Sequence, residues 1–154
     1  MTQDPRDLGD PGSDAFRVDS YPFYQLNRAV SRYNIVIEGA LRTLDIDIPT
    51  WRVLMILGEE SPRSIGQIAK SAVIHLSTMM RIIERMMKAG LVERAPNASD
   101  GRVTDVILTD HGREKLAAAR VLTAPLYRQV IRGFSQSDFT RLLDLLNRLH
   151  GNLS

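Results

Sequence analysis

Apolar residues recur three or four positions apart through most of this chain, and this helical spacing restricts its possible folds more than any other feature. The first such series consists of Leu26, Val30, Tyr33, Ile37, Leu41 and Leu44. It predicts one apolar face on a long helix. Further series of the same kind predict helices over residues 49–58, from 65 onward, and over 77–89, 110–132 and 139–153.

Residues that favour helix ends stand at the boundaries of these series. The predicted N-terminal caps are Asp19 or Ser20, Ser64 with Gln67, Thr109, and Ser135 with Asp138. Gly90 is expected to end the fourth helix in a left-handed conformation. Pro125 lies inside the fifth predicted helix and should kink it.

Two short β-prone runs interrupt the helical pattern between residues 91 and 108. Residues 91–94 and 103–108 are rich in Val, Ile and Leu, and the connector between them contains Pro, Asn, Ser, Asp and Gly. This connector is too long for a tight turn, so we expect a two-stranded hairpin with an extended tip. The predicted fold class is therefore mainly α with a small β-hairpin.

Composition limits the possible functions. The chain has 154 residues, of which 44% are hydrophobic and 25% charged, values typical of one globular domain. No apolar run is long enough for a membrane span, and the polar N-terminus does not resemble a secretory signal, so we expect a cytoplasmic protein. The sequence contains no cysteine, which excludes thiolate catalysis. His111 and His150 lack the spacing of metal ligands, so we expect neither a metal site nor a cofactor.

Positive charge is concentrated in the middle of the chain. Residues 61–109 contain seven Lys and Arg against four Asp and Glu, whereas residues 1–19 contain five Asp against two Arg. Arg81, Arg85 and Lys88 share one side of the fourth predicted helix, with Ser77 and Thr78 at its amino end. Such a face is also typical of an ordinary solvated helix.

The order helix, helix, short helix, turn, helix, hairpin is typical of a winged helix-turn-helix, whose second helix enters the DNA major groove. Arg81, Arg85 and Lys88 are suited to bind phosphates, whereas Ser77, Thr78 and Arg81 are suited to bind base edges. Arg102, at the predicted hairpin tip, is placed to reach the adjacent minor groove.

Residues 49–112 resemble the MarR family of bacterial transcription regulators. The resemblance is carried by PTWRVLMIL, by STMMRIIERMMKAGLVER and by DGRVTDVILTDHG. The last segment is similar to the family's wing signature, at Asp100, Arg102, Leu108, Thr109 and Gly112. The chain departs from the family pattern at Val73, where glycine is common and whose β-branch resists a positive φ, at Gly101 and at Leu76.

The resemblance implies a homodimer that binds double-stranded DNA at a near-palindrome with half-sites about 34 Å apart. It further implies a repressor that a small molecule, often an aromatic acid, releases from DNA. The implied organisation is a winged helix module (49–109) with dimerisation helices (19–48 and 110–154). Residues 1–18, which contain Pro, Gly, Ser and an excess of Asp, are expected from their composition to form a flexible N-terminal arm.

The sequence leaves the roles of several residues open. Tyr24, Asn27, Arg28, Tyr33 and Trp51 are candidates for the effector pocket, with Arg28 pairing a carboxylate, although the spacing of Tyr33 and Trp51 is more typical of core residues. Asp100 is expected to orient a wing arginine, since its charge would repel phosphate. His75 is expected to cap the fourth helix or to lie on the surface.

Two other classes of function compete with DNA binding. A small enzyme is disfavoured because the sequence has no cysteine, no glycine-rich phosphate loop and only three scattered histidines. A winged helix that binds only proteins is the other alternative. A steep loss of nucleic-acid affinity with salt would distinguish DNA binding from both.

Overall fold

A computed structural model describes residues 4–154 of the chain. Its helices are α1 (Pro5–Gly9), a 3₁₀ turn (Val18–Ser20), α2 (Pro22–Arg42), α3 (Ile48–Glu59), α4 (Ile65–Ala72), α5 (Leu76–Lys88), α6 (Asp110–Val130) and α7 (Gln136–Asn152). Its strands are β1 (Arg63–Ser64), β2 (Val92–Pro96) and β3 (Thr104–Leu108). The mainly helical prediction is confirmed.

The N-terminal segment contains regular structure that the sequence does not suggest. Asp4 caps α1 by accepting a hydrogen bond from the Arg6 amide (2.9 Å), and the Arg17 amide donates to the Leu8 carbonyl (2.8 Å). A five-residue helix is too short to reveal an apolar period, which explains why the sequence predicts only an arm. The first three residues of that predicted arm lie outside the described residues.

The predicted N-terminal caps are observed at three helices and absent at a fourth. The Ser64–Gln67 and Ser135–Asp138 capping boxes and the Thr109 cap are confirmed. The prediction that Asp19 or Ser20 caps α2 is wrong. Tyr21 precedes α2 and makes no side-chain cap, because Pro22 opens the helix and needs no partner for a backbone N–H.

The sheet has three antiparallel strands in the order β1-β3-β2, rather than the two predicted. Strands β2 and β3 form the expected hairpin, with Val92 opposite Leu108. Strand β1 pairs Arg63 with Val106 and Ser64 with Asp105. Two residues are too few to show a strand period, so the sequence gives no sign of β1.

The core lies between α3, α4, α5 and the sheet, and α2 and α6 close it from the other side. Its fully buried side chains are Ile37, Leu41, Val53, Leu54, Leu57, Ile68, Met79, Ile83, Met86 and Val106. Gly112 holds the start of α6 against the sheet, because a Cβ there would collide with the Leu91 carbonyl. Helix α7, in contrast, buries none of its residues within the described chain.

Helix α5 is positioned by backbone conformations at both ends. Gly90 follows α5 with φ 73°, as expected for a helix-ending glycine. Val73, between α4 and α5, adopts φ 54° and ψ 48°. The expectation that valine avoids a positive φ here is wrong, and the turn has the shape that glycine would give, at a cost of about 1–3 kcal/mol.

Among residues 4–154, no helix has the length and apolar character of a membrane span.

Candidate nucleic-acid interface

Helix α5 presents a charged surface because its apolar side is fixed in the core. Met79, Ile82, Ile83 and Met86 are buried at helical spacing. The outward side therefore exposes the predicted DNA-contacting residues Ser77, Thr78, Arg81, Arg85 and Lys88. Glu84 is also exposed on this side, and the sequence interpretation did not include it. A carboxylate here repels phosphate but can accept a hydrogen bond from a cytosine amino group.

The three cations of α5 differ in their electrostatic partners. Arg85 forms an ion pair with Asp47, with 2.7 Å between Nη2 and Oδ2. Within residues 4–154, Arg81 and Lys88 form no ion pair. Asp47 therefore offsets part of the charge of Arg85 in this structure, whereas Arg81 and Lys88 have no such partner within the described residues. The expected contact of all three cations with DNA stays a prediction.

Asp47 has two contacts that connect α3 to α5. Its Oδ1 accepts a hydrogen bond from the Thr50 amide (2.9 Å) and so caps α3, while its Oδ2 pairs with Arg85. The sequence shows Asp47 only as part of a break between predicted helices. A capping carboxylate and a cation 38 positions later have no recognisable spacing, because tertiary packing alone brings them together.

The tip of the β2–β3 hairpin is ordered by side-chain hydrogen bonds. Asp100 accepts from the Arg102 amide (3.0 Å) and from its Nε (3.1 Å), and Arg102 lowers the pKa of Asp100 through these contacts. Asn97 accepts from the Ser99 and Asp100 amides and donates to the buried Asp105 carboxylate (3.0 Å). Asn97 and Asp105 thus anchor the tip that carries Arg102. The sequence interpretation missed them because they belong to opposite sides of the hairpin.

His75 precedes α5, but its side chain makes no capping hydrogen bond. Its ring is exposed. Of the two roles expected from the sequence, the surface position is observed, and His75 occupies the N-cap position of α5 without capping it through its side chain.

The predicted effector-pocket residues separate into two places. Tyr33 and Trp51 line a cavity of about 570 Å³ between α2, α3 and α6. Arg28 instead lies over the Tyr24 ring, 5.4 Å from its centroid, and lines a separate surface groove on α2. Tyr24, Asn27 and Arg28 are not among the cavity's lining residues, and their assignment to an effector pocket stays a prediction. Their positions on α2 precede the segment that faces α3.

Side chains from α3 and α6 complete this cavity. The additional lining residues are Met55, Glu59, Arg120, Thr123, Tyr127 and Val130. Trp51 is only 6% exposed, and its indole N–H donates to no atom of the described chain. Burial raises the pKa of Tyr33. The seven-residue spacing of Arg120 and Tyr127 on α6 is a sequence signal that places both on one helix face.

The cavity can hold a planar ligand between aromatic rings. Arg120 offers a cation, Trp51 a buried donor and Glu59 an acceptor. No group of three His, Asp or Glu side chains suited to a metal ion occurs in residues 4–154.

Comparison with known proteins gives concordant matches. The family model described as "MarR family" matches residues 46–104. The HTH-type transcriptional repressor IacR of Pseudomonas putida is 39% identical over 144 residues, which cover 94% of this chain and 86% of IacR.

Two solved structures show the same fold. A mutant MarR from E. coli in complex with operator DNA has a TM-score of 0.75 at 22% identity, with 85% of this chain and 95% of the other covered. Bordetella bronchiseptica BpsR, whose DNA binding is regulated by 6-hydroxynicotinic acid, has a TM-score of 0.78 at 18% identity, with 88% and 96% covered. The order and packing of the elements described above are therefore shared with DNA-binding regulators.

Proposed function

The chain belongs to the MarR family of transcription regulators. From this membership we propose that it is a cytoplasmic repressor that binds a near-palindromic operator as a homodimer. In this proposal a small aromatic acid releases the protein from the operator. One observation supports DNA binding above all: Arg81 and Lys88 are exposed on a helix whose opposite side is buried. Neither cation forms an ion pair within the described residues. Regulators of this family are not enzymes.

In this proposal each site residue has a chemical role. Arg81 binds a base edge, for which its planar guanidinium is suited, and Lys88 binds phosphate. Ser77 and Thr78 at the amino end of α5 donate hydrogen bonds to phosphate or bases. Arg102, oriented by Asp100, contacts the DNA backbone or minor groove beside the helix.

The unburied surface of the flanking helices supports a homodimer. Exposed apolar side chains on α6 and α7 and between them include Val121, Leu122, Val130, Phe134, Leu142, Leu143 and Leu145. An apolar surface of this extent favours a partner, and a second copy of the chain offers the same surface by two-fold symmetry. Residues 19–48 and 110–154 are therefore proposed as dimerisation helices around the winged module of residues 49–109.

Asp47→Asn is expected to increase affinity for DNA of any sequence. Asparagine retains an oxygen that can cap α3, but it removes the charge that pairs with Arg85. Arg85 then becomes available to phosphate, and the slope of log affinity against log salt should steepen by about 0.9, the value for one phosphate contact. Fluorescence anisotropy with labelled DNA at several salt concentrations measures this slope.

Asp45→Asn is the matched control, because it makes the same charge change two positions earlier. Asp45 forms no ion pair within the described part of the chain. Its substitution should leave the slope near the wild-type value. Equal slopes for wild type and Asp47→Asn would contradict the claim that Asp47 withholds Arg85 from phosphate.

The cavity between α2, α3 and α6 is the proposed effector site. Aromatic walls from Tyr33, Trp51 and Tyr127 suit a flat ring, while Arg120 and the Trp51 N–H, which has no acceptor among the described residues, suit a carboxylate. Because α3 belongs to the winged module and α2 and α6 to the dimerisation helices, a ligand here contacts both parts. Binding can therefore favour a conformer in which the two α5 helices no longer match the operator spacing.

Arg120→Gln is expected to weaken binding of aromatic carboxylates about tenfold or more, the value of a hydrogen bond to a charged group. The chain has one tryptophan, and that tryptophan lines the cavity. Quenching of its fluorescence therefore reports on this site during titration with benzoate-type ligands.

Arg128→Gln, in the last turn of α6 and outside the cavity lining, is the control and should bind as the wild type does. Equal affinities of Arg120→Gln and wild type would remove Arg120 from the site.

The experiment that tests the whole proposal is selection of bound DNA from a random pool, with the affinity of the selected sequence then measured against salt. The proposal predicts an inverted repeat, a steep salt dependence and loss of binding when an aromatic acid is added. Weak binding without sequence preference would contradict it and would favour a winged helix that serves protein contacts.

A further inference from the structure

The amino-terminal half of α5 carries exposed apolar side chains beside its polar ones. Leu76 is 53% exposed and Met80 is 43% exposed. Their spacing of four positions places them on one face of the helix. This face lies between the polar stripe of Ser77 and Arg81 and the buried side of the helix, where Ile83 follows Met80 by three positions.

From these observations we infer that Leu76 and Met80 read thymine methyl groups in the major groove. The inference rests on the proposed DNA-binding function and names a specificity determinant within it. Thymine presents its C5 methyl in the major groove, where it is the only apolar group that base pairs offer to an entering helix. An apolar side chain distinguishes thymine from cytosine by this contact.

Two features favour DNA over a protein partner for this face. First, Leu76 and Met80 lie beside Ser77 and Arg81 in the first two turns of α5, so a molecule that contacts the two polar residues also lies against the two apolar ones. A DNA duplex offers phosphates, base edges and methyl groups within two helical turns. Second, helix-turn-helix proteins present the amino-terminal residues of this helix to base edges.

The exposed apolar surface continues into the turn before α5. Val73 is 75% exposed and is held in a left-handed conformation that disfavours β-branched residues. Neither its burial nor its backbone conformation accounts for valine at this position. Strained residues cluster at binding sites, where the surrounding structure maintains them.

Replacement of individual thymines by deoxyuridine in the selected operator tests this inference, because the two bases differ only by the methyl group. Each methyl read by wild-type protein should contribute about fourfold in affinity, the value of one buried methyl group. In Leu76→Ala and Met80→Ala, the deoxyuridine penalty at the contacted position should disappear. Met87→Ala is the matched control, since Met87 is 36% exposed on the same stripe but in the last turn of α5.

The outcomes separate this inference from the proposed function. A penalty that Leu76→Ala or Met80→Ala abolishes and Met87→Ala retains supports it. Tight, salt-dependent operator binding without any deoxyuridine penalty overturns it and leaves the proposed function intact. A penalty that persists unchanged in both variants overturns the assignment to these residues. Failure to select any DNA sequence contradicts both. Thermal unfolding of each variant verifies that it is folded.

Discussion

Replacement of Leu142 by aspartate is expected to convert the protein to a monomer and to lower its operator affinity by a factor on the order of 10² to 10⁴, the usual gain from linking two binding modules. Leu142 is exposed in the single chain, so the charge should leave the fold intact. In a two-fold dimer the charge would be buried without a partner in both subunits, at a cost of several kcal/mol for each. Sedimentation equilibrium against the chain mass of 17.3 kDa and DNA anisotropy measure the two effects.

Thr140→Asp provides the control for this substitution. It introduces the same charge into α7, two positions away and therefore on a different side of the helix. A dimer with wild-type operator affinity is expected. If Leu142→Asp also stayed dimeric, the leucine side of α7 would not be the interface.

Arg81→Ala is expected to cost about 1–3 kcal/mol on the selected operator and to relax the preference for a base at one position of each half-site. The Arg81 side chain lies on the outward side of α5 and forms no ion pair within residues 4–154. Its guanidinium is therefore free to donate two hydrogen bonds to a guanine. Competition binding with operators altered at single positions measures both the affinity and the preference.

Arg81→Lys separates base recognition from charge. Lysine retains the positive charge but lacks the planar pair of donors. We expect this variant to keep most of the affinity for unrelated DNA while losing much of its base preference. Unchanged preference in both variants would exclude Arg81 from base recognition.

Features that depend on neighbouring residues could be predicted from the sequence. The capping boxes at Ser64 and Ser135 and the left-handed Gly90 follow from local rules, since each involves residues within one turn. The buried side of α5 follows in the same way from helical spacing.

Features that depend on contacts between elements could not be predicted. The Asp47–Arg85 ion pair and the pairing of β1 with β3 join residues about 40 positions apart, and no sequence period connects them. The cavity shows the same limit. The sequence indicates Tyr33 and Trp51 as aromatic residues of suitable type, but Arg120 and Tyr127 reach them only because α6 packs across α2 and α3.

Helix α5 is proposed to lie in the major groove of each operator half-site, and methylation interference is the sharpest test of this placement. Dimethyl sulfate methylates N7 of guanine in the major groove and N3 of adenine in the minor groove. N7 methylation is expected to block binding at two sets of guanines whose centres lie one helical turn, about 10 base pairs, apart. Arg81→Ala should lose sensitivity at one guanine of each set. Interference confined to adenine N3, or absent altogether, would show that α5 does not enter the major groove.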